Sequence, residues 1–167
     1  METFTLVHVV LSLAGILSGL VVLFGLIGGK RLDGWTAVFL TTTAATSVTG
    51  FFFPFHGVTP GIVIGVLSLI VLAIAVIARY RRHMLGAWRK TYVITAAISL
   101  YFNVFVLVAQ LFRRVPMLKE LAPTQSEPPF AIAQLAVMIV FVVLTVLAAK
   151  NFRAEQQPPT LARTASA

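Results

Sequence analysis

The chain has 167 residues, 59% hydrophobic and only 11% charged, with a mean hydropathy of +0.96. Soluble domains carry about 25% charged and roughly 45–50% apolar residues, so the composition excludes an ordinary water-soluble globule, a disordered chain and a basic nucleic-acid-binding domain. The net charge of +8 then reads as a membrane-protein signature, with cations outside long apolar runs, and the lack of cysteine excludes disulfides, thiolate metal sites and cysteine nucleophiles.

A helix needs about 20 apolar residues to cross ~30 Å of hydrocarbon. The first such run covers 4–27 and places His8, Ser12, Gly15 and Gly19 on one helical face. It has no positive residue before it and is too long for a signal-peptide core, so it reads as a retained span. The second covers 35–55. It is diluted by threonines, with Thr42, Thr46 and Thr49 on one face, and ends in Phe51-Phe52-Phe53-Pro54-Phe55 before His56. The third covers 61–78, presents Gly61, Gly65 and Ser68 together, and stops at Arg79-Tyr80-Arg81-Arg82. The fourth covers 91–112 and aligns Thr95, Ser99, Asn103 and Gln110.

Beyond it, Pro116 suits the first turn of a short helix whose Val115, Leu118 and Leu121 lie on the bilayer surface. Pro123, Pro128 and Pro129 predict an extended return into the fifth run, 130–149, with its thin polar stripe of Gln134, Met138 and Thr145. Residues 151–167 read as a disordered cytoplasmic tail. Two hairpins correspond, Leu32-Asp33-Gly34-Trp35 and Leu85-Gly86-Ala87-Trp88. They suggest a parallel repeat of two helical hairpins, so the five runs predict an all-α protein of five transmembrane helices, arranged as a four-helix bundle plus one, within 1–150. Trp35 and Trp88 fit interfacial anchors.

Charge orients this arrangement. Five spans put Lys30, Arg31, Arg79, Arg81, Arg82, Arg89, Lys90, Lys150, Arg153 and Arg163 on one side, and only Arg113, Arg114 and Lys119 on the other. The positive-inside rule then predicts N-terminus out and C-terminus in, in a cell inner (plasma) membrane. Without the second span the segregation is lost. The basic loops are expected to hold anionic inner-leaflet lipids.

Depth gathers a set of polar residues toward the outer half. His8, Ser12, His56, Gln110 and Gln134, with Asn103 deeper, are candidates for an outward-facing pocket. All five acids lie in loops or termini, so a carboxylate proton relay within the spans is absent, and the sequence has no Ser-His-Asp arrangement within a span, no phosphate loop and no HExxH. The expectation is a non-enzymatic membrane protein with neither catalytic nor metal residues. It is either an accessory subunit of a membrane complex or a small oligomer that binds or passes a solute, its partner a membrane protein or a second copy. The alternative is a membrane redox protein linked to b-type haem or quinone, using His8 and His56 as ligands.

Overall fold

The computed structural model describes residues 2–53 and 60–153. These residues form α1 (Glu2–Ile27), α2 (Asp33–Gly50), α3 (Pro60–Val76), α4 (Ala87–Arg114), the short α5 (Pro116–Leu121) and α6 (Pro128–Asn151). A π-helical turn, Ile77–Arg81, prolongs α3, and no strand occurs among the described residues. Four segments, Glu2–Ile27, Gly61–Arg81, Ala87–Arg114 and Pro128–Asn151, are long and apolar enough to cross a membrane. Hydrocarbon leaves a backbone polar group no water to bond, so the helix, which bonds them all internally, is the natural state for such segments.

α2 is outside that group because its threonines lower its hydropathy, yet it packs beside the others. Its hydroxyls turn back on the helix: Thr36 donates to the Leu32 carbonyl at 2.8 Å, Thr42 to Val38 at 2.7 Å and Thr49 to Ala45 at 2.7 Å. Such bonds satisfy the side chain locally, and a threonine-rich helix can therefore lie among apolar neighbours.

α1 and α2 form an antiparallel hairpin whose close contacts run through glycines. Gly15 lies opposite Thr42 and Thr43, Gly19 opposite the Phe39 ring, and Gly25 opposite Leu32. α3 packs on α2 and α4, α6 packs on α4 and α1, and α1 and α4 also touch. The core sits between these last two, with Ile16, Val22, Leu23 and Leu26 from α1, Tyr92, Val93, Ala96 and Leu100 from α4, and Phe39 from α2. Most outward positions are apolar too, for example Leu17, Ile70 and Ile132, as expected where lipid and not water meets the surface.

One end of the bundle is basic. There Arg79 meets Asp33, Arg89 reaches the Ala149 carbonyl, and the Asn151 amide bonds the Ile27 carbonyl. The other end joins His8 to Thr49, Phe4 to Phe53 and Phe112 to Phe130, and its described cations are Arg113, Arg114 and Lys119.

Several boundaries differ from the sequence reading. The second helix ends at Gly50, with Phe51–Phe53 in a turn. Pro128 and Pro129 do not force an extended return; they form the first turn of α6. The first turn suits proline because its missing N–H has no helical acceptor there in any case. Pro116 opens α5 as expected. Pro54 and His56, and the tail beyond Arg153, lie outside the described residues.

Candidate functional site

Polar side chains meet inside the bundle at three levels. At the end bearing the chain's start, His8 Nδ1 lies 2.8 Å from Thr49 Oγ1. The Thr49 hydroxyl also lies 2.7 Å from the Ala45 carbonyl, so the His8 contact ties α1 to a side chain already anchored on α2. The imidazole is half-buried and stands edge-on to the Phe53 ring at 5.0 Å.

At mid-depth the Asn103 amide donates to Thr43 Oγ1 at 3.2 Å, bridging α4 to α2 across the space that Gly15 leaves. A Cβ at Gly15 would lie 3.2 Å from Thr42 Oγ1 and 3.5 Å from Asn103 Nδ2. The glycine thus makes room for the bridge. Nearby on α2, Ser47 donates to Ser68 of α3 at 3.3 Å. Thr46 Oγ1 and Ser99 Oγ are buried without a hydrogen-bond partner among the described residues.

The third level lies at the basic end. Arg79, in the π-helical turn, is only 2% exposed. Its guanidinium bonds the Asp33 carboxylate, lies over the Tyr92 ring at 5.1 Å and the Tyr80 ring at 5.6 Å, and approaches Met84 Sδ at 4.0 Å. Asp33 also accepts from Arg31 Nε at 2.8 Å, and its side chain is 65% exposed, so the pair straddles the boundary, carboxylate wet and guanidinium dry. Tyr92 completes the group by donating to Thr36 Oγ1 at 3.5 Å. Local backbone makes this possible. His83 and Met84 take left-handed conformations (φ 49° and 56°), folding the chain back so that Met84 is buried beneath Arg79. Two such non-glycine residues are strained by roughly 1–2 kcal/mol each, which the packing of Met84 and Arg79 has to offset.

The sequence candidates are therefore distributed among different contacts. Asn103 faces α2, while Gln134 donates from α6 to the Phe105 carbonyl at 3.1 Å, with its own Oε1 buried and without a partner among the described residues. Gln110 is exposed and accepts from Arg114 Nε at 3.4 Å. Ser12 is half-buried on α1, one turn along from His8. The His8 and Asn103 contacts on α2 are about 9 Å apart along the helix axis. His56 lies outside the described residues, so the structure does not bear on its pairing with His8. Among the described residues, no three His, Cys, Asp or Glu side chains gather as a metal-binding group.

The Arg79 cluster escaped the sequence reading, which counted Arg79 and Asp33 only as loop charges. Asp33 was nevertheless a signal, since it is the one acid in the basic loops between helices. Comparisons with protein-family models, curated proteins and solved structures found no match to this chain.

Proposed function

We propose that the chain is a non-enzymatic, five-span module of a cell inner membrane, N-terminus out and C-terminus in. It acts as an accessory subunit that packs against a membrane-protein partner or a second copy of itself. The observation that carries this reading is how the interior polar groups are used. His8, Asn103, Gln134, Tyr92 and Arg79 each reach a partner on another helix. Polar groups spent in this way hold helices together, for about 0.6 kcal/mol on average and up to ~1.7. The apolar outer faces are then the surfaces offered to the surroundings. Inclusion of α2 as the fifth span is supported by its course beside α1, from the basic end to the opposite one. The basic loops hold anionic lipids of the inner leaflet.

The test uses purified full-length protein, in detergent and in liposomes. The expected result has three parts: no visible haem bands after oxidation or reduction, no glycerol or chloride flux above empty liposomes, and a native-membrane particle larger than one chain. A stoichiometric haem spectrum would replace this reading with the redox one. Solute flux that Asn103→Ala alters would replace it with permeation.

A further inference from the structure

α4 and α6 are held together by Gln134 on Phe105, by Arg89 on Ala149 and, between these, by the Tyr101 and Phe141 rings at 5.7 Å. Along the outside of this seam runs an open cleft of about 360 Å³. Ile94, Ile98 and Tyr101 line it from α4, and Met138, Val142 and Val146 from α6. The hydroxyl on the α6 wall, Thr145, donates to its own helix at the Phe141 carbonyl, 2.6 Å away, so that wall presents carbon.

The cleft's two stripes continue into cations. Lys90 stands one helical turn before Ile94, and Lys150 one turn after Val146; both are exposed. Residues four apart share a helix face, so both lysines extend the cleft walls. Arg89 joins them, its Nη1 on the Ala149 carbonyl at 3.3 Å, where Ala149 forms the basic end of the cleft. The arrangement is a hydrocarbon slot with a positive rim at one end only.

From these features we infer a specific site for one anionic phospholipid in the leaflet at the basic end of the bundle. One acyl chain lies in the α4–α6 cleft and the phosphate sits among Arg89, Lys90 and Lys150. Length fits this occupant. From Ala149 to Met138 the cleft runs about 16 Å along α6 at ~1.5 Å per residue, and one leaflet contributes about half of the ~30 Å hydrocarbon core. Charge selects the headgroup, since clustered Lys and Arg at the membrane surface attract anionic lipid. The inference rests on the membrane-spanning and anionic-lipid parts of the proposed function and not on the accessory-subunit part, because it concerns a single chain and its leaflet.

Native mass spectrometry of the full-length protein tests it, with dioleoyl-phosphatidylglycerol against dioleoyl-phosphatidylcholine as probes. One phosphatidylglycerol per chain is expected to survive activation that strips phosphatidylcholine. The double variant Lys90→Gln/Lys150→Gln should weaken its retention about tenfold or more. Val142→Trp fills the slot from its mouth and should abolish retention, whereas Ile139→Trp, on the same helix outside the cleft, should not. Equal retention of the two lipids, or no effect of the double lysine change, would overturn the site. So would Val142→Trp behaving as Ile139→Trp does, or a dimer of the protein that Val142→Trp alone dissolves. Should Val142→Trp fail to fold, the exposed lysines decide the matter by themselves.

Discussion

A guanidinium withdrawn from water needs an anion more than an anion at the surface needs a guanidinium. Arg79 and Asp33 are such an unequal pair, one side chain 2% exposed and the other 65%. Removing the partner of a buried charge is more damaging than replacing the charge itself with an apolar group. Asp33→Asn should therefore lower thermal stability in detergent more than Arg79→Met does, by about 1–2 kcal/mol after allowance for the exposed carboxylate. Adding Arg79→Met to Asp33→Asn should recover part of the loss, and melting curves in the opposite order would dismiss the argument. A second residue-level expectation concerns the Asn103–Thr43 bridge. A double-mutant cycle with Asn103→Ala and Thr43→Val should give a coupling of about 0.6 kcal/mol, the average for hydrogen bonds between membrane helices. Zero coupling would mean that the 3.2 Å contact contributes nothing. That these side chains are polar within apolar runs was legible in the sequence. Their partners were not, because a helix apolar on nearly every side does not reveal which way it is rotated.

Helix contacts explain why two glycines with the same conformational liability should respond in opposite ways. A Cβ on Gly19 would lie 2.6 Å from Leu100 and 2.8 Å from the Phe39 ring, whereas at Gly34, in the first turn of α2, nothing lies within 4 Å. Gly34→Ala should raise stability by up to about 0.5–1 kcal/mol through the lower helix-forming entropy loss. Gly19→Ala should lower it, because Leu100 and Phe39 must move. Thermal unfolding of the two variants side by side gives the answer, and shifts in the same direction would contradict the packing. The turn before α6 carries a pH dependence as well. Partial desolvation pushes the Glu127 carboxyl upward. Hydrogen bonds from the Thr124 hydroxyl and amide and the Ser126 amide outweigh this and hold it below its ordinary range. A carboxylate depressed on folding stabilises above its unfolded pKa and loses that contribution as pH falls through the folded one. Amide exchange at Thr124 and Ser126, corrected for its intrinsic pH dependence, should therefore become less protected in acid, and Glu127→Gln should remove that response. The stripe of Gly15 and Gly19 was visible as a face in the sequence, but the opposing Phe39, Thr42 and Thr43 were supplied only by the hairpin.

On the scale of the whole molecule, the division of charge between the ends of the bundle leads to a topology experiment. The chain has no cysteine, so single substitutions can be labelled without a background. If all five long helices cross, Thr3→Cys and Thr124→Cys react with an impermeant thiol reagent from the same side, and Arg82→Cys from the other. If α2 stays out, Thr3 and Thr124 fall on opposite sides. The positive-inside rule predicts that the Arg82 side is the cytoplasmic one, and the labelling of Arg82→Cys in intact cells tests it.

Hydrophobic run length and loop charge are properties of single segments, and a linear sequence carries them without reference to neighbours. The all-helical class, the long apolar helices, the short helix at Pro116 and the segregation of Lys and Arg were therefore determined by the sequence alone. Burial of Arg79 was decided by the tertiary structure, because it requires a π-helical turn, two left-handed residues and the Tyr92 and Asp33 side chains brought from other helices. The separation of His8, Asn103, Gln110 and Gln134 into different contacts was decided in the same way. Residues at related depths in a membrane can face any neighbour, and only the order and rotation of the packed helices assign them one.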